Sequence, residues 1–305
     1  MATRKLPKST KFFWGIGQAA EGVKNSAFNS FLLFYYNQIL GVSATLTALA
    51  LAIAVLFDAM SDPLVGSISD RFQSRWGRRH PFMAASAAPM AITLFLLFYP
   101  PAGMSEMFYF GWVTLFAISV RTFLTLYQIP HLALGAEMAT DYEDRNGLFS
   151  VGLFFGAVAG WGFWFSMLTF IFQPQPDLPN GMYNADGYPR MAASAGIIAV
   201  IAIMLCIWGT RKEIPNLSLA VPARESLGFV RLFNELKIAF SSRSYRSIFF
   251  GLMLGTLVLS VEAVFTPFMG IHFWGLETDQ LRWLGVGVLL GLGPGSLAAA
   301  YLVCI

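Results

Sequence analysis

The stretch "FDAMSDPLVGSISDRFQSRWGRRHP", Phe57–Pro81, begins inside an apolar run and carries Asp58 and Asp62 before it reaches any loop. Asp70, Arg71, Arg75, Arg78 and Arg79 follow. The run leading into it, "VSATLTALALAIAVL" from Val42 to Leu56, is uncharged and long enough with it to cross a bilayer. A carboxylate at such a depth costs at least about 2.5 kcal/mol, so it faces a cavity or a partner. Residues four apart share one helix face, so Asp58 and Asp62 point the same way and need a cation between them. Paired carboxylates suit a hard ion such as Na⁺. They also suit a proton, if burial and mutual repulsion keep one carboxyl protonated. The plainer alternative is that each aspartate pairs with a basic side chain.

Composition sets the same scene. Of 305 residues, 56% are hydrophobic and 12% charged, about half the charged share of a soluble domain. Mean hydropathy is +0.60. This is the composition of an integral membrane protein, with the lipid bilayer as its surroundings. A net charge of +3 with the basic residues in short loops speaks for membrane orientation and against nucleic-acid binding. Cys206 and Cys304 lie in apolar runs without metal-ligand spacing. The chain holds no GxGxxG, P-loop or HExxH, so enzyme chemistry has no constellation to stand on and no cofactor is expected.

Runs of about 20 apolar residues predict eight spans, near 12–39, 45–69, 82–100, 108–136, 147–172, 191–209, 247–273 and 281–304. Lysine and arginine crowd alternate connections, which puts the N-terminus in the cytoplasm of a multi-pass cell-membrane protein, the inner membrane in a bacterium. The segment 211–246 is the long connection. In it Phe229, Phe233, Leu236 and Phe240 recur at helical spacing, as in an amphipathic interfacial helix or an ordinary linker helix. The expected organisation is a six-helix unit over 1–210, the linker over 211–246, and the first two helices of a second unit over 247–305. The chain stops at "GSLAAAYLVCI" with no polar flank, so it reads as eight spans of an expected twelve.

Other polar residues fall inside the spans. At 100° per residue, Gln18, Glu21, Lys24, Asn25 and Asn29 occupy an arc of about 140° on span one. Glu21 and Lys24 are spaced to pair with each other. Alternatively, Glu21 joins the cation site while Lys24 or Asn25 reaches substrate. Arg121, near the middle of span four, needs an acid or an anionic ligand. Glu21, Asp58 and a substrate carboxylate or phosphate are the candidates. Tyr127, Gln128 and His131 surround Pro130, where freed carbonyls bend the helix. Tyr127 and Gln128 are assigned to the substrate path, and His131 is either a proton relay or a packed ring. Gly152, Gly156 and Gly160 follow small-xxx-small spacing and read as helix packing.

Gly66-x-x-x-Asp70-Arg71 followed by Arg75-Trp76-Gly77-Arg78-Arg79 resembles the loop between spans two and three of the major facilitator superfamily. "DAMSDPLVG" joined to "SRWGRRHPF", with "IPHLALGAEM" and "DYEDR" downstream, is similar to the glycoside–pentoside–hexuronide:cation symporters, and the likeness runs along essentially the whole chain. The resemblance implies an all-α bundle of the major facilitator type and a Na⁺ or H⁺ site at Asp58 and Asp62, with Thr125. It implies a gate of Gly66, Asp70 and Arg71 with Arg75, Arg78, Arg79 and Arg145, in which Gly66 permits close helix contact and Asp70 caps or pairs near a helix end of the opposite half. Departures touch the substrate. Where the family's melibiose permease has an arginine beside the aspartates this chain has Val55, and the acid of span one is replaced by Gly22 with Glu21 adjacent. Gln128 stands for the acid of span four, and Leu153 for the arginine of span five.

The expected function is cation-coupled symport of a small solute by alternating access, most simply a sugar, glycoside or sugar acid. Arg121 makes a hexuronide worth testing. Two alternatives stand beside it, a lipid or lysolipid carrier of the same fold and a non-transporting membrane scaffold.

Overall fold

A computed structural model describes residues 5–72, 74–217 and 237–302. Among them the chain is helical, with an isolated bridge between Gln175 and Leu178. The helices are α1 Lys8–Ser26, α2 Ala44–Arg71, α3 His80–Leu97, α4 Glu106–Met138, α5 Tyr142–Phe170, α6 Gly187–Thr210, α7 Arg243–Phe268, α8 Thr278–Leu281 and α9 Leu284–Leu302. Every span expected from the sequence has its helix. Among the described residues, six helical stretches are long and apolar enough to cross a membrane: 44–71, 80–97, 106–138, 142–170, 187–216 and 243–273. α1 is more polar, holding Lys8, Lys11, Glu21 and Lys24, and its apolar continuation is wound differently. Ala27–Leu32 and Tyr35–Ile39 are π-helical, so side chains there leave the 100° phase of an α-helix. Phe229, Phe233 and Leu236 of the expected linker helix lie outside the described residues.

Helix ends show local chemistry. Ser105, Asp141 and Ser242 precede α4, α5 and α7, and each side chain accepts a hydrogen bond from a first-turn N–H. At the far end of α4, Arg145 donates from Nε to Ala139 O and from Nη2 to Ala136 O, both at 3.3 Å, covering carbonyls the helix leaves open.

α1 packs along α5 and α6, α4 packs along α2 and α3, and α3 meets α6 to join the two sets. A Cβ on Gly22 would collide with the carbonyl oxygen of Gly156, and one on Gly160 would lie 3.0 Å from Gly22 O. The small residues expected to serve packing therefore let α1 and α5 touch backbone to backbone. Trp14 fills the core between α1 and α4. Its ring stacks on His131 with centroids 4.5 Å apart, and its Nε1 donates to His131 O at 3.0 Å. Of the two readings of His131, the packed ring is the one this environment fits.

α9 runs along α5, with Phe165 and Trp283 in contact at 5.3 Å. α7 reaches the π-helical part of the first span, where Phe34 and Phe268 lie 5.3 Å apart. At the same end the loop before α6 docks on α8. Gly181 N donates to Thr278 Oγ1 at 2.8 Å, and Asn180 Nδ2 donates to Leu276 O at 3.4 Å.

Candidate functional site

α2 and α4 lie side by side, so the acids of one meet the polar residues of the other. Thr125 Oγ1 stands 2.9 Å from Asp58 Oδ1 and 2.9 Å from Asp62 Oδ1. Arg121, one turn earlier on α4, donates from Nη1 to Asp58 Oδ2 at 2.9 Å. A hydroxyl has one proton to give. Thr125 therefore donates to one carboxylate and turns a lone pair to the other, which is left with unmet charge or with a proton of its own. Arg121 answers Asp58, while Asp62 has no ion-pair partner among the described residues, in a setting of hard oxygen donors. That donor set fits Na⁺ or H⁺ and not a soft metal. Among the described residues no group of three His, Cys, Asp or Glu is placed to hold a metal ion.

Arg121 thus has an acid for a partner and stands apart from the cavity described below. Its Nε is buried and has no hydrogen-bond partner among the described residues. The Phe28 ring lies 5.9 Å from the Arg121 guanidinium and 5.1 Å from Lys24 Nζ, so one aromatic ring serves two cations. Lys24 is buried and donates to Asn25 Oδ1 at 2.9 Å.

A cavity of about 580 Å³ opens between α1, α5, α7 and α9. Gln18, Glu21, Asn25 and Asn29 of the first span line it, with Gly156 and Trp161 on the adjoining α5. The polar arc of the first span is therefore a cavity wall, with Lys24 as the exception. Lys24 faces Phe28 and not the cavity. Glu21 is on this wall and not among the atoms around Thr125, and this corrects its expected place in the cation site. Its Oε2 accepts from Gln128 Nε2 at 2.5 Å, and the same amide donates to Gln18 Oε1 at 3.3 Å. Gln128 lies one turn beyond Thr125 on α4, so a single helical turn links the carboxylate pair to the cavity wall. Tyr127 points the other way. It is fully buried, 3.4 Å from His131 Nδ1, and this removes it from the substrate path.

The residues expected to form a gate assemble at the end of the bundle where α2 and α4 finish and α3 starts. Gly77, at φ +77°, turns the chain between Ser74 and His80 and delivers both arginines inward. Arg79 Nη2 meets Asp70 Oδ1 at 2.5 Å and Glu137 Oε1 at 2.8 Å, and its Nη1 donates to Ser69 Oγ at 2.8 Å. Arg78 Nη2 reaches the same Glu137 oxygen at 2.7 Å. Asp70 therefore pairs within its own bundle, because the Gly77 turn brings Arg79 back onto α2. Glu137 is the acid that sequence reasoning missed. Arg75 lies over the Trp76 ring at 5.9 Å, Arg71 closes α2, and Arg145 caps α4. A Cβ on Gly66 would meet Ile129 at an ordinary 3.6 Å, so close helix contact does not depend on glycine there.

A family model described as "MFS/sugar transport protein" matches residues 13–303. The chain belongs to that family. It is a multi-pass membrane protein of the major facilitator superfamily, in the glycoside–pentoside–hexuronide symporter group. Among the relatives of this family member is the "Uncharacterized symporter sll1374" of Synechocystis, 27% identical over 218 residues, 68% of this chain and 38% of that one. The "Inner membrane symporter YicJ" of Escherichia coli is 24% identical over 251 residues, 78% of this chain and 53% of the relative. The "Isoprimeverose transporter" of Lactiplantibacillus pentosus is 22% identical over 226 residues, 73% and 46% of the respective chains. The chain spans about half the length of the curated relatives it matches.

Proposed function

We propose that the protein is a secondary active transporter that couples entry of Na⁺ or H⁺ to symport of a small neutral polyhydroxylic solute, a sugar or glycoside, by alternating access. The reading is carried by Thr125 Oγ1, held at 2.9 Å from both Asp58 and Asp62. With Arg121 on Asp58, Asp62 has no ion-pair partner among the described residues, and a monovalent cation supplies one. The cation-binding residues are Asp58, Asp62 and Thr125, with Arg121 setting the charge. The solute-binding residues are Gln18, Glu21, Asn25 and Asn29, whose amides and carboxylate match hydroxyl donors and acceptors. Trp161 adds an apolar side chain to the lining from α5.

A neutral solute is favoured over a hexuronide because Glu21 is the charged side chain on the cavity wall and Arg121 is engaged by Asp58. Gln128 links the two sites, since a change at Thr125 is one turn from the amide that holds Glu21. In this reading 1–210 forms one half with its N-terminus in the cytoplasm, 211–246 is the linker, and 247–305 opens the second half.

The test is uptake of radiolabelled sugars into proteoliposomes under an inward Na⁺ gradient, an inward H⁺ gradient and neither. Accumulation above equilibrium with one gradient, lost in Asp62→Asn, is expected. Accumulation by Asp62→Asn equal to that of the wild type would end the assignment.

A further inference from the structure

Away from both sites, α3 and α6 cross where Ala91 meets Gly196, so closely that a Cβ on Gly196 would lie 3.0 Å from that of Ala91. Over this crossing lies an open trough of about 430 Å³, walled by Ile92, Phe95 and Leu96 of α3 and by Ala193, Ile197 and Ile201 of α6. Ile92, Ile197 and Ile201 are more than half exposed. α6 follows the trough from Ala193 to Ile201, about 12 Å of helix axis.

The trough has a polar end. Arg190 lies three residues before Ala193 and seven before Ile197, on the same face of α6. It is exposed, and among the described residues its side chain makes no ion pair or hydrogen bond, even to Asp186 four residues earlier. Arg282, at the loop that docks on this end, is by contrast paired with Asp279 at 3.2 Å. Phe98 stacks on Tyr188 at 6.3 Å, which sets the end of α3 beside the start of α6. The next residue, Tyr99, lays its ring 5.4 Å from Phe95 and is 58% exposed, so a phenol stands at the rim.

We propose that this trough binds an anionic phospholipid, with one acyl chain along the α3–α6 crossing and the phosphate on Arg190 beside the Tyr99 hydroxyl. Apolar surface in a bilayer meets acyl chains everywhere, so the wall alone selects nothing. Selection comes from the guanidinium, which takes a phosphate through two parallel hydrogen bonds. Phosphatidylcholine brings its own cation to the same place and loses that advantage. A helix from a second copy would seat apolar residues against an uncompensated arginine.

Native mass spectrometry of the purified full chain, equilibrated with phosphatidylglycerol or phosphatidylcholine of identical acyl chains, tests this. Retention is expected to favour phosphatidylglycerol about fivefold, the effect of one basic residue near a membrane surface. Arg190→Gln should equalise the two lipids while leaving the lipid-free melting temperature unchanged. Ala193→Phe, which puts a ring in the trough, should lower retention of both. Millimolar inorganic phosphate should not displace the lipid. Equal retention by the wild type, an undiminished preference in Arg190→Gln, displacement by phosphate alone, or a second copy of the chain held in place of lipid would each overturn the proposal.

Discussion

Arg121 meets Asp58 at 2.9 Å, between the α4 nitrogen Nη1 and the α2 oxygen Oδ2. The two aspartates of α2 are therefore unequal. Asp58 has both oxygens engaged, by Arg121 and Thr125, whereas Asp62 has the shared hydroxyl.

That inequality separates two variants that sequence spacing alone treats alike. Asp58→Asn and Asp62→Asn should both lose gradient-driven accumulation. Asp58→Asn should also lose about 2 kcal/mol of stability, because Arg121 is left without its charge-assisted bond. Asp62→Asn should unfold within about 0.5 kcal/mol of the wild type. Thermal unfolding of both variants in the same detergent measures the difference, and adding Arg121→Gln to Asp58→Asn should recover part of the loss.

The Thr125 hydroxyl is the atom the two carboxylates share. Thr125→Ser keeps it and should transport normally. Thr125→Val keeps the shape without the hydroxyl and should weaken the apparent affinity for the coupling ion about tenfold, the equivalent of one hydrogen bond to a charged group. Ion titration of initial uptake rates at saturating solute distinguishes the two.

Backbone contact between α1 and α5 makes glycine substitutions sharply graded. Gly22→Ala drives a methyl into Gly156 O and should cost about 1–3 kcal/mol, whereas a Cβ on Gly156 would sit 3.6 Å from Gln18 O and should be tolerated. Melting temperatures of the two variants should fall in that order.

At the α2–α3 turn, Glu137 takes both Arg78 and Arg79 and its side chain is 16% exposed, while Asp70 is 56% exposed. Glu137→Gln should therefore destabilise by about 2 kcal/mol, and Asp70→Asn by under about 1 kcal/mol. Chemical denaturation of each variant at low and high salt checks it. The Asp70→Asn effect should shrink with salt, the Glu137→Gln effect much less.

The helices were legible because crossing a bilayer demands apolar length, and that demand is written residue by residue in runs such as Val42–Leu56. The carboxylate pair was legible for a similar local reason, four-residue spacing on one face. Partners across helices were not. Glu137 stood in the quoted stretch "IPHLALGAEM", yet its arginine partners are 58 and 59 positions away in sequence, and nothing local announces them. Its one signal was an acid within the last turn of a helix, where a negative charge is disfavoured unless something answers it. The turn of Lys24 away from the cavity was hidden as well. Lys24 stands in the α-helical part of the span, at the edge of the polar arc about 60° beyond Glu21, and spacing alone does not say where along that arc the cavity wall ends. The pairing of Asp70 with Arg79 was hidden likewise, because it depends on the Gly77 turn that folds the arginines back onto α2, a matter of one backbone angle.

The bond from Gly181 N to Thr278 Oγ1 spans 97 residues of chain, and so it carries a consequence for the ribosome. When residue 181 is made, the hydroxyl that will accept its N–H does not yet exist. At about 5–20 residues per second, the loop before α6 waits about 5–20 s for its partner to be synthesised. During that interval α1 to α6 can pair among themselves, but the Asn180–Gly181 loop stays hydrated. The seal between that loop and α8 is therefore a late event in biogenesis, and a nascent chain stalled short of Thr278 would leave the loop open to protease.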